Sequence, residues 1–186
     1  MSENSVSTLS NSTQKTTKKE KNKILDEKYE FSLAYIIQQI INKNKKLNIY
    51  NEKLIQQKNS IFNLNEPSVS IQKYLHRIFK YTYLEKSSLI ISLIYLDRIC
   101  KYKIFLTNYN IHKLMVISIL MAIKYNEDSI YENKFYAKVF GINLKELNEL
   151  EFEYIKLINF QFFINDLEFN QYSLFFDDYS EKNKFI

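Results

Sequence analysis

T-N-Y-N-I-H-K-L-M-V-I-S-I-L-M-A-I-K-Y, residues 107–125, decides the fold of this chain. A helix starting near Thr107 and running to about Tyr125 carries Ile111, Leu114, Met115, Val116, Ile117, Ile119, Leu120, Met121 and Ile123 nearly all round its barrel. A helix that is apolar on every side must be surrounded by others, so this segment is expected to be the hub of a bundle. Only one Gly and one Pro occur in 186 residues, and hairpins and sandwich turns depend on both, so the class is all-α.

Working outward from the hub, a short helix is expected over about 132–139, stopped by Gly141. Asn143 and Glu146 then have capping-box spacing and open a helix to about Ile158. The aromatic and acidic segment 167–176 should pack back as one short helix. Upstream lies a helix over about 85–101. Before it, Pro67 restarts the chain, with Ser68 as N-cap of a helix reaching about Tyr81. The first helix is expected over 28–42, with Phe31, Leu33, Ala34, Ile36, Ile37, Ile40 and Ile41 as its apolar positions. A polar connection with a helical turn near Leu54 and Ile55 follows it. Residues 1–27 are rich in Ser, Thr, Asn and Lys and are expected to be a disordered basic tail, leaving 28–186 as one domain. Lys15, Lys18, Lys19, Lys21 and Lys23 read first as a solvated basic stretch and second as a nuclear-import signal.

Composition excludes several functions. A single glycine cannot write a G-x-G-x-x-G loop or a phosphate loop, so the chain is expected to be no kinase or NTPase, and no enzyme of another kind is indicated. Cys100 is the only cysteine, which fits an intracellular protein of nucleus or cytoplasm, and it sits on an apolar helix face as a core residue. Neither a signal peptide nor an apolar run of about 18 residues is present, so no membrane span is expected. The two histidines, His76 and His112, have no second His or Cys at ligand spacing, and neither a metal nor a cofactor is called for. A formal charge of +5, much of it in the tail, gives little support to direct nucleic-acid binding.

Two acids stand where an amphipathic pattern forbids them. Glu151 falls on the arc of Leu144, Leu147, Ile155 and Ile158, and Asp97 between Leu93 and Ile90. A buried carboxylate needs a partner. Asp97 is expected to form a structural ion pair, with Arg77 as the candidate base. For Glu151 an internal pair and donors from another protein remain alternatives.

From Pro67 onward the chain resembles the P-type cyclins, the group that includes the U-type cyclins of plants. The likeness runs through P-S-V-S-I-Q-K-Y-L-H-R-I-F-K-Y (67–81), L-I-I-S-L-I-Y-L-D-R-I (89–99), L-T-N-Y-N-I-H-K-L (106–114), M-A-I-K-Y-N-E-D (121–128), F-Y-A-K-V-F-G-I (135–142) and E-L-N-E-L-E-F-E-Y (146–154). The resemblance implies a five-helix cyclin box over about 67–163, preceded by an N-terminal helix, in a regulatory subunit that binds and activates a cyclin-dependent serine/threonine kinase. It maps the family's kinase-clasping Lys and Glu onto Lys124 and Glu151, which meet the kinase C-helix, and the neighbouring apolar contacts onto Met121, Tyr125, Phe160 and Phe162. It also maps the family's buried Asp onto Asp97. The M-R-A-I-L word of cell-cycle cyclins is replaced by V-S-I-Q-K-Y-L (69–75), so their substrate patch and the usual Arg partner of that Asp are missing. A second box is not expected. The alternative function is a cyclin-fold adaptor in a transcription or RNA-processing complex that activates no kinase.

Overall fold

Helices form where the apolar spacing and the caps agree. The computed structural model describes residues 27–46, 61–62, 68–102 and 104–182. They contain seven helices: α1 (27–46), α2 (Ile71–Thr82), α3 (Lys86–Lys101), α4 (Ile111–Asn126), α5 (Asn133–Phe140), α6 (Leu144–Leu157) and α7 (Asp166–Lys182). Among the described residues there is no strand. The expectations for the basic tail and for the turn at Leu54 and Ile55 fall outside those residues.

The hub is where the sequence puts it. Every residue of α4 from Ile111 to Ile123 is buried, Lys113 and His112 included. Lys113 escapes the cost of a buried charge by pairing with Glu146 Oε1 at 3.0 Å and donating to the Ile61 carbonyl at 2.9 Å. α3 lies along α4, α6 packs on α4 and α5, α5 on α2, and α7 on α3. α1 joins through Tyr29, whose ring stacks on Phe176 and whose hydroxyl donates to Asp177 at 3.1 Å.

Local chemistry explains where the helices start and stop. Asn143 Oδ1 accepts from the Glu146 N–H at 2.7 Å and caps α6, whereas the Glu146 carboxylate turns away to Lys113, so only half of a capping box forms. At α2 the cap is Ser70, which accepts from the Lys73 N–H, and not Ser68. α7 outruns the expected 167–176 at its C-terminal end. Asn165 caps it by accepting from the Glu168 N–H at 2.8 Å, and no Gly or Pro interrupts the pattern before Lys182. Gly141 ends α5 with φ of +72°, and a Cβ there would lie 3.3 Å from Arg77 Nη1.

Arg77 is therefore not the partner of Asp97. Its guanidinium lies over the end of α5 and donates to the Lys138 carbonyl at 2.8 Å, filling one of the open carbonyls of that helix. Asp97 accepts instead from the Tyr172 hydroxyl at 2.9 Å and lies 3.5 Å from Lys101 of its own helix, with its side chain 47% exposed. The expected buried ion pair is a rim contact, because α7 covers only part of this face. Next to Asp97, a cavity of about 580 Å³ opens among α1, α3 and α7.

Candidate functional site

The end of α4 and the start of α5 meet at Glu151, in the middle of α6. Lys124 stands in the last turn of α4, where a cation suits the helix dipole, and its Nζ lies 2.5 Å from Glu151 Oε1. Asn133, the first residue of α5, donates through Nδ2 to Glu151 Oε2 at 2.7 Å and to Asn148 Oδ1 at 2.8 Å. Both carboxylate oxygens thus have a donor within the chain. Lys124 and Glu151 keep 23% and 17% of their side-chain surface. The pair is shielded enough to be ordered and open enough to be reached. Asn126 fixes the end of α4 by donating to the hydroxyls of Ser87 and Ser88, both at 3.0 Å.

Aromatic side chains flank this pair. Tyr125, half-exposed, stacks on Phe162 with ring centroids 4.1 Å apart, and Phe162 meets Tyr95 edge-on at 5.8 Å. Met121 and Phe162 are buried, so of the four apolar contacts expected from the sequence these two form a floor. Tyr125 and Phe160 form the accessible part, and Phe160 is 70% exposed. The neighbouring Phe163 and Phe152 are exposed as well.

Sequence reasoning missed Asn133, Tyr95 and Arg98. Arg98 Nη2 pairs with Glu168 Oε2 at 2.8 Å and the same guanidinium reaches two backbone carbonyls after α6. Burial pushes the Tyr95 phenol up to about 12, so it is a hydrogen-bond donor throughout the physiological range. Asn133 had a signal in principle, because it follows the Gly-free loop after Lys124 at the start of a short helix. Nothing in its own neighbourhood pointed to Glu151.

Other candidate chemistries find little to stand on. Burial raises the Cys100 thiol to about 11, which keeps it protonated and unreactive. Among the described residues no three His, Cys, Asp or Glu side chains gather as a metal site, and no helix is long and apolar enough to cross a membrane.

The cyclin family's sequence model matches residues 1–162, most of the chain. The chain belongs to the cyclin family. Among curated proteins, this cyclin is 36% identical to Cyclin-U4-3 of Arabidopsis thaliana over 146 residues, covering 77% of this chain and 64% of that one. It is 39% identical to Cyclin-U2-2 of the same plant over 120 residues, covering 62% and 51%. With Cyclin-P3-1 of Oryza sativa subsp. japonica it shares 31% over 144 residues, covering 76% and 60%. These relatives identify a P/U-type cyclin, and the seven described helices agree with that fold. The chain spans between about half and two thirds of the length of these relatives.

Proposed function

We propose that this cyclin is the regulatory subunit of a cyclin-dependent serine/threonine kinase and activates it by docking on the kinase C-helix. The observation that supports this reading best is the Lys124–Glu151–Asn133 network, already assembled, partly exposed and flanked by Tyr125. An ammonium has three donors and a carboxylate about four acceptor positions. Lys124 and Glu151 therefore retain capacity for a partner's backbone C=O and N–H without letting go of each other. Aromatic side chains around such a polar pair supply the apolar contact and exclude water, as an interface hot spot requires.

Docking becomes activation only if the cyclin holds the kinase's active arrangement more tightly than its inactive one. In that arrangement the C-helix turns inward, so that its Glu meets the Lys that orients ATP phosphates. The role of the cyclin is then to bind and position, and the phosphoryl transfer belongs to the kinase. The nucleus or the cytoplasm is the proposed place of work.

The test uses a panel of purified cyclin-dependent kinase catalytic subunits, each assayed for binding and for phosphorylation of a protein substrate with and without the full chain. A kinase that binds and gains activity on addition of the chain is the expected result. Binding with no gain in activity would favour the adaptor reading. A panel with no binding at all would end the kinase reading.

A further inference from the structure

Three successive backbone carbonyls in the connection between α6 and α7 are held by two side chains of α3. Arg98 Nη1 donates to the Gln161 carbonyl at 2.6 Å, and Nη2 donates to the Phe163 carbonyl at 2.9 Å. Between them the Tyr95 hydroxyl donates to the Phe162 carbonyl at 2.9 Å. Tyr95 and Arg98 are three residues apart, so they stand one turn apart on one helix face. A planar guanidinium can bridge two carbonyls two residues apart while still pairing with a carboxylate, here Glu168; an ammonium offers no such fork.

This grip fixes which way the side chains go. Alternation along an extended segment turns Phe162 inward and leaves Gln161 and Phe163 outward, and Phe163 is 83% exposed. Immediately before it, Asn159 and Phe160 have φ of 50° and 58°. Asn tolerates the left-handed region, but Phe is rarely found there, and such a conformation persists only where the surroundings over-determine it. One determinant is the Phe160 N–H, which donates to the Ile155 carbonyl at 3.2 Å. Others are the Phe160 carbonyl, which accepts from the Phe162 N–H at 2.9 Å, and the carbonyl grip from α3, whose Arg98 side chain is only 13% exposed. The two carbonyl bonds satisfy backbone acceptors and so contribute to the fold alongside the Glu168 pair. They also fix the backbone on either side of Phe162, between Phe160 and Phe163.

We propose that Arg98, helped by Tyr95, is a positioning residue that sets the direction of Phe160 and Phe163 for the docking kinase while lying beneath the contact itself. This inference rests on the docking function proposed above. It adds Phe163 to that surface, and Arg98 and Tyr95 beneath it, beyond the Lys124–Glu151 pair and the apolar contacts already named.

A double-mutant cycle tests it, using the full chain and whichever purified kinase of the panel the wild-type chain binds most tightly. Arg98→Lys keeps the charge and can still meet Glu168, so it serves as the folding-safe variant beside Arg98→Met. Arg98→Lys is expected to weaken binding by about tenfold or more. In the free chain it should speed amide hydrogen exchange at 159–165 while leaving α4 unchanged. With Phe160 and Phe163 both replaced by Ala, the same substitution should cost no more than about twofold, because it then has nothing left to position. An equal loss in both backgrounds would show a merely structural arginine and overturn the proposal, as would wild-type affinity of Arg98→Lys. Glu151→Ala in the same assay separates the two readings. If it abolishes binding while Arg98→Lys does not, only the positioning role falls. If neither it nor the double Phe replacement weakens binding, the docking surface itself is wrong, and the role of Arg98 falls with it.

Discussion

Around Glu151 three helices converge, whereas around Asp97 one helix passes and leaves a gap. Both carboxylates lie on apolar arcs of their own helices. At Glu151 the end of α4 brings a cation and the start of α5 brings an amide, so both oxygens are bonded and little of the side chain meets water. At Asp97 only the Tyr172 hydroxyl reaches across from α7, Lys101 belongs to the same helix, and a cavity adjoins. A helical wheel states which way a side chain leaves its helix. It carries no information on how thickly the next layer covers it. The same intrahelical pattern has therefore produced an ordered, donor-rich surface site in one place and a solvated rim contact in the other.

The largest effect that tests this contrast is expected at Glu151. Removing one member of a hydrogen-bonded interfacial charge pair costs about 2–5 kcal/mol, roughly 30-fold to several-thousand-fold in affinity. Glu151→Ala and Lys124→Ala should each lose kinase binding on that scale in a titration, with the helical circular-dichroism signal retained. Loss of that signal would instead make the pair a fold-bearing contact. Asn133→Ala comes next. It leaves the ion pair but frees Glu151 Oε2, and a hydrogen bond to a charged group contributes about 1.5–3 kcal/mol when intact. About tenfold weaker binding is expected, and unchanged binding would show that Lys124 alone orients the carboxylate.

The difference between the two acids also marks what the sequence could convey. The hub α4, the stop at Gly141 and the Asn143 cap are legible because each depends on residues within a turn or two of one another. Glu151 was legible as a misplaced acid on its helix, but Lys124 and its pairing with Glu151 came only through the family resemblance, since 27 positions separate them. Arg77 was the base expected for Asp97 and Arg98 was missed, and each spends its main hydrogen bonds on backbone carbonyls. A carbonyl has no sequence signature. Chain register in the folded state decides which one an arginine meets, and no pattern along α2 or α3 records it.

His112 offers a third degree of cover, and a smaller effect. It is buried in α4, and its Nε2 lies 3.0 Å from the Val69 carbonyl and must donate to it. That leaves Nδ1 buried with no hydrogen-bond partner, and burial lowers the imidazole below its ordinary value of 6.5. A lowered folded-state value means that the unfolded chain binds the proton more readily. The contribution to stability is therefore present above 6.5 and lost as the pH falls through and below it. The wild-type Tm should drop on acidification through this window. His112→Gln keeps a donor for Val69 and should flatten the slope relative to wild type. The difference between the two curves removes what other groups such as Glu30 contribute, since both chains share them. Parallel curves would mean that His112 opens to water before it titrates.

The smallest effect is expected at Asp97, and it is the one that separates cover from pattern. If the carboxylate were a buried member of an ion pair, Asp97→Ala would strand a buried cation and cost about 3–5 kcal/mol. The geometry argues for much less. Lys101 is itself largely exposed and returns to water when its neighbour goes. Tyr172 loses one acceptor but stands at the edge of an open cavity, where water can replace the carboxylate. Exposed pairs contribute about 0–1 kcal/mol, so a urea melt of Asp97→Ala should lie within about 1 kcal/mol of wild type with the same m-value. Tyr172→Phe should cost a similarly small amount, and the double variant should add little to either single one, because both remove the same hydrogen bond. A loss of several kcal/mol for Asp97→Ala would mean that this face is closed in solution and that Asp97 and Glu151 differ in partners rather than in cover.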